Sequence, residues 1–386
     1  MAVASRVDTG RAFGKVLLPT LAKGVIVRRP GVMALAERAQ VDATAVDTMR
    51  SFRTRYGSAP LRLRVTGRSV ALLLDPSDVA RLLDGSPEPF ALATREKRAA
   101  LRHFQPHGVL ISRGAQRERR RRVVEAALRP EGLDVEEVVR DEVDLLVRHV
   151  HSTGELTWDG FAQGWWRLVR RLVLGSGARA DERLTDELKK LRGDGNWAYL
   201  HPRRRGLREA FERRLRAHLE RREPGSLAAT ASVDDLVDQV PHWLFAFDAA
   251  AIVTLRALAL GGSGAEGILE SARLWPTTPV ILRESTIATR WGDVWLPEET
   301  TFVVFTPYFH RMAGDEYRPD LWPAGGPALV PFSGGPGVCP GRDLVLVTAG
   351  LVLDALREHV VSPVLHPPLP ATLNHFALRL PVPAHA

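Results

Sequence analysis

Residues 233–260 read VDDLVDQVPHWLFAFDAAAIVTLRALAL, and beyond its acidic start this stretch is apolar on nearly every face. A helix that is apolar all round has to be covered on all sides by other elements. The spacing therefore predicts a very long helix over 233–260 running through the centre of the protein. No uninterrupted apolar run in the chain reaches membrane-spanning length. Near the start, FGKVLLPTLAKGVIV carries Lys15, Lys23 and a proline and reads as an ordered N-terminal arm over 1–30, not as a signal or an anchor.

The rest of the chain agrees with a mainly α protein carrying a small β part. Helical spacing is found over 43–57, 114–128, 133–151, 155–175, 181–192 and 203–222, and PSDVARLLDG reads as a short capped helix. LRLRVTGRSVALLLD (61–75) alternates, turns at Thr66-Gly67 and runs apolar, the pattern of a β-hairpin. Residues 222–232 read as a loop, GGSGAEG ends the long helix, and 268–275 starts another. The β-branched stretch 277–308 predicts short strands with turns at Gly292-Asp293 and Pro297-Glu298. An irregular Pro- and Gly-rich stretch follows over 309–338, then a buried helix over 342–360 and a closing hairpin in the last twenty residues. Residues 31–386 are expected to form one domain.

Net charge is +8, almost all of it arginine, since only five of the basic residues are lysines. The runs RERRRR (117–122) and RRRGLREAFERRLRAHLERR (203–222) stand out, but no nucleic-acid module accompanies either, and the glutamates spaced through the second make it a solvated helix face. Neither nucleic acid nor membrane is expected as a partner. A single cysteine excludes an internal disulfide, and a reducing, cytoplasmic compartment is expected.

That cysteine lies in PFSGGPGVCPGRDL, 331–344. Pro340 suits a first helical position, which would put Cys339 at a helix N-terminus, where unpaired N–H groups favour a thiolate. Gly334, Gly335, Gly337 and Gly341 clear side chains from both sides, so a flat, bulky group can approach the backbone. These residues alone leave three readings open: a metal ligand, a reactive thiol, or an inert buried cysteine. A thiolate ringed by N–H donors and facing open space is what a haem iron needs as axial ligand.

FSGGPGVCPG fits F-x-x-G-x-x-x-C-x-G and so resembles the haem-thiolate signature of cytochromes P450, with Phe332, Gly335, Cys339 and Gly341 in the fixed positions. LESARLWPTTPVILRE resembles the E-x-x-R helix of that family, with Glu270 and Arg273 one turn apart. The hairpin at 61–75, the run GAQRERRRRVVEAAL and ILRES follow in family order, so the resemblance spans nearly the whole chain. It implies a cytochrome P450 fold and haem b (iron protoporphyrin IX) ligated by Cys339. It also implies that Arg117, Arg121 and Arg283 grip the propionates, and that Glu270 and Arg273 hold the haem-binding core. Arg119, Arg120 and Arg122 would then be either a basic face for an acidic ferredoxin or flavodoxin type electron donor or a merely solvated surface.

Four departures qualify the resemblance. The family's acid–alcohol pair on the long helix aligns with FAFDAA, so Asp248 keeps the acid but Ala249 replaces the threonine, and Thr254 lies too far along to substitute. LALGGSGAEGILE leaves almost no room for the extra helix usual before Glu270. Gly337 stands where a histidine or arginine often sits, and Leu321 where an arginine often completes the network around the Glu-Arg pair. The expected activity is monooxygenation of a small apolar or aromatic molecule, with Asp248 aiding proton entry. Phe245, Ala249, Thr278, Val280, Asn374 and Phe376 are the expected pocket residues. Peroxygenase or hydroperoxide isomerase chemistry, and a non-catalytic haem-binding relative, are the alternatives that Ala249 raises.

Overall fold

The computed structural model describes residues 2–322 and 329–384. The chain divides into two units, one of residues 1–95, 272–339 and 368–374, the other of residues 96–271, 340–367 and 375–386. Part of the irregular stretch expected over 309–338, residues 323–328, lies outside the described residues.

The first unit is built on a five-stranded sheet. Its order is Leu61–Val65, Arg68–Leu72, Thr301–Phe305, Val280–Ser285, Phe90–Ala91. The hairpin predicted from alternation is present, with Leu63 opposite Val70. Arg68–Leu72 runs parallel to Thr301–Phe305 and every other pairing is antiparallel. All five residues of Thr301–Phe305 are buried, which is why that strand lacks alternation. Phe90, Trp291 and Phe302 pack together beneath it, with ring centroids 4.9 to 5.8 Å apart. The predicted β stretch ends sooner than expected. Thr306–His310 is a helical turn, begun by Pro307, whose missing N–H costs nothing in the first turn.

The first unit also holds residues 2–30. This arm is helical from Arg6 to Lys23, with a π-helical middle, Ala12–Leu17. Ala4 N–H donates to the Arg62 carbonyl at 2.9 Å. Asp8 is buried and accepts from the Tyr56 hydroxyl at 2.6 Å, from Arg55 at 2.8 Å and from Arg11 at 3.1 Å. The Tyr56 bond is the largest influence, and with Arg55, Ser5 and Arg11 it holds the carboxyl down at about 2 against the cost of burial.

The second unit is helical. Val135–Thr153, Trp158–Leu174, Val240–Ala259 and Arg342–Arg357 pack on one another around its core. Val240–Ala259 is long and apolar enough to cross a membrane, yet 72% of that window is buried inside the protein. This central helix is shorter than the sequence implies. The expected single helix over 233–260 breaks at Asp238-Gln239 into Val233–Val237 and Val240–Ala259. Pro241 cannot donate to a carbonyl four residues back and its ring would strike it, so the helix restarts there. Gln239 fills the joint: its side chain accepts from Val109 N–H at 2.9 Å and donates to the His107 carbonyl at 3.3 Å.

One further expectation is corrected, and the short link before Glu270 is explained. Among the described residues, the last twenty of the chain do not form a hairpin with themselves. Arg379–Pro381 instead pairs antiparallel with Glu155–Thr157. Prolines at 367, 368, 370, 381 and 383 remove the backbone donors a local ladder would need. The link before Glu270 is a four-residue turn, Leu260 to Ser263, with Gly261 at φ +76°. Gly264 N–H then donates to Asp354 at 2.9 Å, so a short turn closes the gap where the resemblance expects another helix.

Candidate active site

The cysteine loop is shaped by its own backbone. Ser333 at φ +64° and Gly335 at φ +55° reverse the chain, and a single 3-10 turn, Gly335–Gly337, follows. Cys339 N–H donates to the Phe332 carbonyl at 2.9 Å and Val338 N–H to the Gly335 carbonyl at 3.0 Å, so the loop folds back under the thiol. Phe332 itself is half-buried. Gly335 is obligatory on steric grounds. A Cβ there would lie 2.3 Å from the Leu83 carbonyl oxygen, at the end of the Pro76–Asp84 helix. Cys339 is half-buried and is the only thiol in the chain.

The helix after the loop starts later than its proline suggests. It spans Arg342–Arg357 with Gly341 as its N-cap, so Pro340 precedes the cap and is not the first helical residue. Gly341 carries no steric demand from the protein, since a Cβ there would meet only Leu128 at ordinary contact distance.

Arg283 stands beside this loop. It is 2% exposed, and its guanidinium donates to Ser86 Oγ at 2.9 Å, to the Leu282 carbonyl at 3.0 Å and to Ser333 Oγ at 3.0 Å. A Cβ on Gly337 would come within 2.9 Å of the same guanidinium. The absence of a larger residue at 337 therefore makes room for Arg283, and the residue expected to be missing a propionate contact instead lets a buried arginine reach the loop.

A second set of contacts braces the loop's start. Arg273 is fully buried and donates to the carbonyls of His310 at 3.1 Å, Gly314 at 2.6 Å and Glu316 at 2.6 Å. His310 lies 3.2 Å from the Arg273 carbonyl through Nδ1 and 3.2 Å from Val330 N–H through Nε2. Because Val330 N–H can only donate, Nε2 must accept, and Nδ1 therefore carries the proton and donates to Arg273. Burial, with the charges of Arg273 and Arg311, pushes His310 down to about 3. The unfolded chain takes up a proton there below about 6.5, while the folded one resists until about 3. Stability contributed by this neutral ring is therefore present above 6.5 and lost as the pH falls towards 3. Denaturation midpoints measured from pH 7 to 4 should fall, and His310→Asn should flatten that fall while lowering stability at pH 7. Glu270 is also fully buried. Arg318 is engaged bidentately by Asp320 at 2.8 and 2.7 Å.

In the second unit the central helix is buried except for His242, Phe245, Ala246, Asp248 and Ala249, which are half-buried. Spacing of three and four residues puts His242, Phe245, Ala246 and Ala249 on one face. Asp248 is not free beside them. Arg192, itself 2% exposed, donates to Asp248 Oδ2 at 2.5 Å, and its guanidinium lies 4.9 Å from the centre of the Phe245 ring. The Thr254 hydroxyl donates to the Ala250 carbonyl at 2.8 Å, so it is turned into its own helix. His242 is joined to Gln105 at 3.0 Å and is pushed down to about 4 by burial and by the charge of Lys97.

Arg117 and Arg121 occupy one face of Gly114–Ala127. Arg117 is buried, and burial together with the Arg121 charge lowers its pKa. Arg121 pairs with Glu125 at 2.5 Å. Arg119 and Arg122 are exposed, whereas Arg120 donates to Ser112 Oγ at 2.6 Å, which narrows the candidate basic face.

The expected pocket residues divide. Thr278 is exposed, and its carbonyl accepts from the Thr306 hydroxyl at 2.9 Å. Val280 is half-buried opposite Phe305. Asn374 is buried, its backbone N–H held by Glu37 at 2.8 Å. Phe376 belongs to a ring cluster with His375 and Trp158, with centroids 4.0 and 5.7 Å away. Reading the sequence missed Arg192, Ser86, Ser333 and His310. Each acts on a partner far along the chain or through an ordinary polar side chain, so no local pattern marks it.

No family model matches the sequence, and no curated protein matches it. Solved structures do. The cytochrome P450 CYP175A1 from Thermus thermophilus superposes with a TM-score of 0.67 at 19% identity, covering 86% of this chain and 92% of that one. A six-coordinated cytochrome P450 from a second strain of Thermus thermophilus gives 0.63 at 20% identity, over 82% and 91% of the two chains. The haem domain of cytochrome P450DA gives 0.65 at 15% identity, over 82% and 86%. The protein has the cytochrome P450 fold.

Proposed function

We propose that the protein binds haem b through Cys339 and is a haem-thiolate monooxygenase. It would insert one oxygen atom of O2 into a small apolar or aromatic molecule, with electrons from a ferredoxin or flavodoxin type donor. The observation that carries this reading is the cysteine loop: one half-buried thiol, held from below by its own backbone, beside a buried guanidinium. These residues suit haem, a flat dianionic group with an iron centre. Cys339 supplies an anionic sulfur ligand, and Arg283, Arg117 and Arg121 supply charge for the two propionates. When bound, haem supplies activation of oxygen at iron.

The chain's own residues do the rest. Phe245 and Ala249 offer an apolar face to a substrate. Arg192 holds the Asp248 carboxylate by a charge-assisted hydrogen bond, so that a proton can pass through the acid only when this pair opens. Exposed Arg119 and Arg122 offer charge to an acidic electron donor.

The same observations favour peroxide use as the second reading. Ala249 has no hydroxyl, Thr254 is turned away and Asp248 is engaged, so proton delivery to dioxygen is weakly served. Turnover with a reductase system and with hydrogen peroxide, compared on one substrate panel, separates the two. Ala249→Thr restores a hydroxyl on the half-buried face. Its peroxide release per electron pair should fall, because a proton donor within reach of the reacting group speeds the productive step. An unchanged ratio would remove proton supply as the limiting feature.

A further inference from the structure

The second unit holds a groove between Val135–Thr153 and Trp158–Leu174, with a cavity of about 320 Å3. Leu145, Leu146, His149, Gln163, Arg167 and Arg179 line it. Two of these, Arg167 and Arg179, are held by Glu142, whose side chain is 1% exposed and accepts from Arg167 at 3.1 Å, Arg171 at 3.1 Å and Arg179 at 2.6 and 3.1 Å. Burial works to raise Glu142, and the bonds from Arg179, Arg171 and Arg167 outweigh it. Arg171 also holds Asp141 at 3.0 Å. Three guanidiniums thus face two carboxylates, which leaves a positive excess.

That excess points into the groove. Arg167 uses only Nε on Glu142, and Arg179 uses Nε and one terminal nitrogen. Among the described residues, nothing accepts from the remaining terminal N–H groups of either side chain, and nothing pairs with the His149 ring or the Gln163 amide. Small residues shape the space: a Cβ on Gly160 would lie 2.8 Å from His149 Nε2, so glycine makes the notch in which that ring sits. Leu145 and Leu146 supply an apolar wall.

We propose that this groove binds a small oxyanion with an apolar body, of the aryl or alkyl phosphate type. Its charged head lies between Arg167 and Arg179, within reach of His149 and Gln163, and its apolar part lies on Leu145 and Leu146. Planar guanidinium forks already fixed by Glu142 suit a tetrahedral oxyanion, because little side-chain freedom is lost on binding.

The test is calorimetric titration of the full-length, haem-loaded protein with phenyl phosphate and with inorganic phosphate. Phenyl phosphate should bind saturably at one site, about tenfold more tightly than inorganic phosphate, which is what roughly 60 Å2 of apolar area removed from water supplies. Gln163→Glu puts a negative charge at an exposed position that holds nothing else, so folding should be unaffected. It should weaken phenyl phosphate about tenfold or more by like-charge repulsion, with an unchanged melting temperature in the absence of ligand. Arg167→Gln should weaken it similarly. No saturable binding, equal affinity for the two phosphates, or binding that survives Gln163→Glu would overturn the proposal.

Discussion

Gly335→Ala is expected to destabilise the protein by about 3 kcal/mol or more and to abolish stable haem uptake. Two effects add. The left-handed φ of +55° costs a residue with a side chain about 1 kcal/mol. The new Cβ would also lie 2.3 Å from the Leu83 carbonyl oxygen, and backbone on both sides cannot yield as a side-chain tip would. Gly67→Ala separates the two contributions. Gly67 has a φ of +70° but open space around its Cβ position, so only the conformational part, about 1 kcal/mol, should appear there. Chemical denaturation of the two variants, read alongside haem content, checks both. Equal losses would mean that the contact with Leu83 does not hold the loop.

Arg273→Met should be at least as damaging, by about 4 kcal/mol. The substitution keeps much of the volume but leaves the carbonyls of His310, Gly314 and Glu316 without their charged donor, in a place where the side chain is fully buried. Because His310 links the Arg273 carbonyl to Val330 N–H, the damage should travel to the start of the cysteine loop. The expected result is poor soluble yield, and in whatever folds, reduced haem content. Arg318→Met, at the surface and bound to Asp320, should leave soluble yield and haem content much closer to native.

These two positions differ in how far the sequence announces them. Gly335 and Cys339 sit in one short run whose glycines and prolines have a local steric meaning. Arg273 is marked by its spacing from Glu270 and by its charge on an apolar helix. The amphipathic helices were legible from apolar periodicity, since each buries one stripe. What the sequence hid is what depends on distant partners. Arg192 meets Asp248 across 56 positions, and nothing near either residue signals the pair. The last strand pairs with Glu155–Thr157, more than two hundred residues earlier, so a hairpin was the local expectation. The break before Pro241 was legible in principle, but the apolar run around it outweighed one proline. Pro340 misled in the opposite way: it resembles a first helical residue, while Gly341 takes the cap.

Asp248 illustrates how a residue's partner can stay hidden from the sequence. An acid on the central helix was expected to aid proton entry, and it is bound by a buried guanidinium that also lies over Phe245. Any activity built on that acid must open this pair or work without it.

The central claim is that Cys339 sulfur ligates haem iron, and the most direct measurement is the absorption spectrum of the reduced protein under carbon monoxide, taken for the native chain and for Cys339→Ser. The native protein should show the red-shifted Soret band of a thiolate-bound, carbon monoxide-bound haem, and the serine variant should lose it while remaining folded. A native spectrum typical of histidine ligation, a protein that takes up no haem, or a thiolate band that persists in Cys339→Ser would contradict the account.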